Sequence, residues 1–103
     1  MERTATLNEI LAQDPNNAFA RYGLAMEYAN SGQAERALEE FNKLLAAHPD
    51  YSAGYFMAAQ TLVKSGQNDE AKTMLQNGIA AARRKGASHA ASEMQAMLDE
   101  LNL

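Results

Sequence analysis

Few residues of this chain could do chemistry. The two histidines, His48 and His89, stand far apart in a sequence of 103 residues that has no cysteine. With neither an HExxH nor an HxH spacing they lack partners for a metal site, and both are read as surface residues. The missing thiols also exclude a disulfide framework and a cysteine nucleophile. Ser88 directly precedes His89, but neighbours on a helix point about 100° apart, and no nucleophile elbow or partner acid accompanies them. Glu35, Glu39 and Glu40, like Asp69 and Glu70, cluster near the starts of helical segments, where the dipole favours negative charge without any role in acid catalysis. No GxxxxGK[ST] or GxGxxG run offers a phosphate cradle. The chain is therefore read as no enzyme, with no cofactor and no metal.

Charge narrows the partners. The formal net charge is −4, with four basic and eight acidic side chains in residues 1–50 and five of each in residues 51–103. That balance argues against nucleic acid, whose phosphates call for clustered Lys and Arg. One basic run, Arg83-Arg84-Lys85, leads into Gly86 at an expected helix end, where cations complement the dipole and glycine supplies a left-handed cap. No apolar stretch approaches the ~20 residues of a membrane span, and Met1-Glu2-Arg3 leads into a polar helix without the apolar region of a secretory signal. The expectation is a cytoplasmic protein with no membrane partner. Its length suits one domain that buries roughly 65% of its unfolded surface, enough for a core without staples.

The elements that must position any site come from an internal repeat. Ser31-Gly32-Gln33 recurs 34 residues later as Ser65-Gly66-Gln67, and the same offset carries Pro15 to Pro49, Ala37 to Ala71, Phe41 to Leu75 and Leu45 to Ile79. Within a unit the apolar residues step by three and four, as in Phe19, Tyr22, Met26 and Ala29, or Ala34, Ala37, Leu38, Phe41, Leu44 and Leu45, so each unit is a pair of helices. Gly32 and Gly66 stop the first helix of each pair, and Pro15 and Pro49 separate the units. Leu7, Ile10 and Leu11 lie 34 residues before Phe41, Leu44 and Leu45, which marks an N-terminal half repeat. At the other end Ala87, Ala90, Ala91, Met94, Met97, Leu98 and Leu101 form a last helical stripe. Six helices are expected, near 3–13, 17–31, 34–47, 51–65, 68–85 and 87–101.

A 34-residue helix-turn-helix unit with this punctuation resembles the tetratricopeptide repeat family. Ala37 and Ala71 match the small position that lets the paired helices pack closely. Leu24 and Ala25 match the large-small pair of the first helix, Tyr28 its aromatic, and Phe41 the aromatic of the second helix. Unit two departs more, with Ala58 and Ala59 at the pair, Leu62 and Leu75 in place of aromatics, and Gly78 at a small position. The family's Trp is absent from both units, its place taken by Arg21 and Tyr55. The resemblance implies an all-α fold, a right-handed superhelical solenoid of antiparallel helix pairs. It divides one domain into a half-repeat helix (1–15), repeat one (16–49), repeat two (50–84) and a capping helix (85–103).

It also implies where to look for function, because the first helices of successive pairs line the concave face of such an array. The groove positions would be Phe19, Tyr22, Met26, Ala29 and Asn30 in unit one, Ala53, Phe56, Met57, Gln60 and Lys64 in unit two, and Ala90, Met94 and Met97 on the last helix, although a methionine stripe at helical spacing is as readily buried core as open groove. Tyr22 and Phe56 stand one position off the packing sites, which points to exposure on the inner face. Some relatives clamp a chaperone's terminal carboxylate with Lys, Asn and Arg. Here the corresponding positions hold Tyr22, Met26, Met57, Ala87 and Ala91, none of which donates a charged hydrogen bond. The leading expectation is a module that binds a helical or extended segment of another protein through Phe19, Tyr22, Met26, Asn30, Phe56, Gln60 and Lys64. The alternative is a self-associating subunit, a homodimer whose groove is covered by a second copy or by its own C-terminal helix, suggested by the apolar final stripe that ends in Leu101 and Leu103.

Overall fold

The computed structural model describes residues 2–103, and Met1, with which the expected half repeat begins, lies outside them. Six helices follow one another: α1 (Glu2–Gln13), α2 (Ala18–Asn30), α3 (Ala34–Ala47), α4 (Ser52–Lys64), α5 (Asn68–Lys85) and α6 (Ser88–Leu101). Every end falls within one residue of the sequence expectation. The chain is all-α, and among the described residues no helix is long and apolar enough to cross a membrane.

The same local chemistry closes three of the turns. Gly32, Gly66 and Gly86 take φ of 79°, 76° and 75°, the left-handed region that glycine enters without a Cβ clash. In each turn the next residue's N–H reaches back to a helix carbonyl: Gln33 to Tyr28 at 2.9 Å, Gln67 to Leu62 at 2.9 Å, Ala87 to Ala82 at 2.8 Å. These bonds satisfy carbonyls that the helix end would otherwise leave bare. At the start of α2 the Asn17 side chain accepts the Ala20 N–H at 2.9 Å.

Burial runs through the stack in three clusters. Leu7, Leu11, Ala20 and Leu24 join α1 to α2, and Ala25, Ala37, Phe41, Leu44 and Ala58 join α2, α3 and α4. The third, which includes Tyr55, Ala59, Leu75 and Met94, joins α4, α5 and α6. Ala25, Ala37, Ala59 and Ala71 are fully buried, so the two paired helices of each unit approach closely where neither carries bulk.

The places of the missing Trp have found a common use. Tyr55 donates its hydroxyl to the Pro49 carbonyl at 2.7 Å, and Arg21 donates Nη2 to the Pro15 carbonyl at 2.9 Å. Two unlike side chains thus pin each first helix to the linker six residues before it. Arg21 also donates Nη1 to Glu40 Oε1 at 2.7 Å, with 18% and 11% of the two side chains exposed, and Lys43 stands 3.5 Å from the second carboxylate oxygen. Glu40 is therefore no helix-dipole residue, as its run of acids suggested, but the buried half of an ion pair.

Curvature follows from which helices meet. The backbones of α2 and α4, and of α4 and α6, approach closely, whereas among the described residues those of α1 and α3, and of α3 and α5, do not. Crowding the even-numbered helices and splaying the odd-numbered ones makes the even side concave. α6 makes no close approach to α2, so it extends the stack and does not lie across the groove.

Candidate functional site

The concave side of α2 and α4 carries a cleft of about 220 Å³ between the C-terminal halves of the two helices. Met26 and Asn30 face it from α2, and Met57, Gln60 and Lys64 from α4. Ala34, the first residue of α3, closes one end. Residues three and four apart on a helix share a face, which is how 26 and 30, or 57, 60 and 64, converge from single helices. Sequence reasoning passed over Thr61 and Ser65, which also line the cleft and follow Met57 at the same spacing. Their hydroxyls are spent, donating to the Met57 and Thr61 carbonyls at 2.8 and 3.0 Å.

Four of the seven expected contact residues, Met26, Asn30, Gln60 and Lys64, thus meet at one cleft. The other three lie outside it. Phe19, at the head of α2, is 71% exposed. Tyr22 and Phe56 are half-buried, contrary to the expected exposure. The Tyr22 ring meets Phe41 edge-on at 6.3 Å and lies 5.5 Å from the tilted Tyr51 ring, a neighbour with no signal in the sequence beyond its type. Burial pushes the Tyr22 hydroxyl above its usual pKa of 10.0, and the negative charge of an ionised Tyr51 adds to the rise. Phe56 packs against the α4–α5–α6 core.

On α6 the expected groove positions are core. Met94 is 1% exposed, and Ala90 and Met97 are partly buried against the same cluster. The cause lies one helix earlier. α5 runs 18 residues where α3 runs 14, continuing through the stretch that holds the His48-Pro49 linker in unit one. α6 is consequently re-phased by two residues, and its buried Ala91, Met94 and Leu98 repeat the spacing of the buried Tyr55, Ala58 and Leu62. Most of the apolar stripe that suggested a second copy is turned inward, while Leu103 at its end is fully exposed. α6 presents Ser88, Ser92, Ala96 and Asp99, with Arg83 of α5, to an open hollow of about 540 Å³ at the end of the stack.

Both histidines are engaged by neighbours. His48 Nε2 lies 2.7 Å from the Asn16 carbonyl and His89 pairs at 3.3 Å with Glu93 in solvent. Among the described residues no three His, Asp or Glu converge as metal ligands would.

Comparison with known proteins agrees with this architecture. The tetratricopeptide repeat family model matches residues 4–53 and 28–98. A tetratricopeptide-repeat-containing protein of Pseudomonas aeruginosa is 32% identical over 96 residues, 93% of this chain and 91% of the relative. The solution structure of a tetratricopeptide repeat domain protein from Salinibacter ruber superposes with a TM-score of 0.80 at 32% identity, covering 85% of this chain and 89% of that one. PcrH, solved in complex with the chaperone-binding region of PopD, superposes with a TM-score of 0.88 at 21% identity, covering 96% of this chain and 75% of PcrH, a likeness of fold. With its repeats matched by the family model across almost the whole of the described stack, the chain belongs to the tetratricopeptide repeat family.

Proposed function

We propose that this chain is a protein-interaction module whose concave face, across α2 and α4, takes a helical or extended segment of another protein. Phe19, Tyr22, Met26 and Phe56 supply the apolar contacts, and Asn30, Gln60 and Lys64 the polar ones. The mechanism is reversible burial on a preformed surface, with no chemical step. The observation that carries this reading is Phe19: at the head of α2 and 71% exposed, it is apolar area without a partner. Covering it is worth roughly 2 kcal/mol before the costs of association. The PopD region bound by PcrH shows that a protein of this fold can hold a segment of another, and supports the same use here.

The test is Phe19→Glu, which leaves every buried contact in place. Peptides selected on the wild-type chain from a display library are expected to lose at least about tenfold in affinity for the variant, while its circular dichroism stays unchanged. Undiminished binding by the folded variant overturns the reading. Light scattering on both proteins adds the other occupant: a dimer that Phe19→Glu dissolves would assign the face to a second copy.

A further inference from the structure

The cleft between α2 and α4 is built for a particular side chain. Its floor is the two thioethers of Met26 and Met57, half-buried and packed on the core. Its rim holds Asn30, Gln60 and Lys64, and no hydrogen bond or ion pair engages any of the three side chains among the described residues. Every other Lys or Arg that meets a carboxylate here does so elsewhere: Arg3 with Glu27, Arg21 and Lys43 with Glu40. None of the residues lining the cleft is acidic. The carbonyl ends of α2 and α4 open toward it, but so does the amide end of α3 through Ala34, where the capping residue Gln33 makes no side-chain cap. The helix fields therefore oppose one another, and Lys64 brings the full charge.

We propose that this cleft receives an acidic side chain of the bound segment, its methylenes on the Met26–Met57 floor and its carboxylate held by Lys64, Asn30 and Gln60. The inference rests on the concave face being the binding surface. Lysine donates only, and both amides present NH₂ donors, so an acceptor with more than one lone pair completes the set. A glutamate reaches the rim over the methionines, and a cleft of about 220 Å³ has room for one long side chain. The geometry also sets a spacing. Phe19 and Asn30 lie eleven residues apart on α2, about 16 Å along the helix. A guest that covers Phe19 and fills the cleft needs its apolar anchor and its acid about five residues apart if extended, or about eleven if helical.

The experiment uses the whole chain. Twelve-residue peptides are selected from a display library on the wild type, and the best is remade as a C-terminal amide in Glu and Gln versions at its acidic position. The expected result is a loss of about tenfold or more from Glu to Gln on the wild type and almost none on Lys64→Gln, with Lys64→Arg retaining most of the preference. Selected peptides without an enriched acid, an equal loss on both proteins, or a dependence on a free C-terminal carboxylate in place of the side chain would each overturn the inference while leaving the groove. If the peptides ignore Phe19→Glu, or none is selected, the concave-face reading falls and takes the cleft with it.

Discussion

The two full repeats share a frame and differ in what fills it. In unit one the linker is pinned by Arg21, and Arg21 is neutralised by Glu40. Thirty-four residues on, Tyr55 pins the linker, and the place of Glu40 belongs to Met74, packed against the apolar cluster around Tyr55. Both partners differ between the units, and either difference alone would strand a charge. The seams between units differ as well. Between units one and two, Leu44 and Leu45 of α3 are the knobs and Gly54 of α4 the hole; at the next seam Gly78 of α5 is the hole, filled by Met94 of α6 and Tyr55 of α4. The repeat thus conserves contact geometry while size and polarity move from one helix to the other.

The glycine holes give the largest effects. A Cβ on Gly78 would lie 2.6 Å from both Tyr55 Cβ and Met94 Sδ. The first of these is the root of a pinned side chain and has nowhere to go. Gly78→Ala is expected to lower stability by about 2 kcal/mol, overpacking exceeding the gain of about 1 kcal/mol in helix propensity. In a domain of this size that is a fall of roughly 10 °C in melting temperature. At Gly54 the added Cβ meets the far ends of Leu44 and Leu45, at 3.0 Å each, and Tyr51 Cδ1 at an ordinary contact distance of 3.5 Å. Gly54→Ala is expected within about 1 kcal/mol of wild type, relief and propensity offsetting each other. Thermal melts of the two variants would break the comparison if Gly78→Ala proved the milder.

The polar pair comes next. Glu40→Met alone leaves Arg21 half-enclosed without its carboxylate and is expected to cost about 2 kcal/mol. Adding Arg21→Tyr, which rebuilds unit two's arrangement inside unit one, is expected to recover most of that loss. A denaturant series on the two single variants and the double would measure the coupling. Additive losses would mean that the exchange of both partners between the units is coincidence.

These contrasts explain what could be read in advance. Helix ends, the small positions Ala37 and Ala71 and the glycine turns were legible, because each depends on residues within one turn of the chain. The faces of α2 and α4 were legible too, since the 34-residue frame carries from one to the other. The inward face of α6 was legible only as one of two readings of its methionines, because the added length of α5 re-phases the helix and so decides that Met94 faces the core. The absence of proline among Ala82, Arg83, Arg84 and Lys85, where unit one has His48-Pro49-Asp50-Tyr51, was the available signal. The Arg21–Glu40 pair spans 19 residues and is set by how α2 crosses α3. Only the joint change to Tyr55 and Met74 marks it in the sequence.

The smallest expected effect concerns the ring that unit one places where unit two has Phe56. Tyr22 differs from its counterpart by one hydroxyl, half-buried between Phe41 and Tyr51 and raised in pKa by that burial first and by Tyr51 second. As pH rises past about 10.0 the unfolded chain loses this proton before the folded one does. The folded state then binds more protons than the unfolded, and stability falls with rising pH. Below that range the hydroxyl is neutral in both states and contributes no pH dependence. Tyr22→Phe keeps both ring contacts and removes the titration, so its melting temperature should decline less steeply than the wild type's between pH 9 and pH 11, a window of about one unit either side of the usual tyrosine value. Parallel curves would mean that Tyr22 ionises alike folded and unfolded, and that its ring sits as open to water as an unpartnered groove residue.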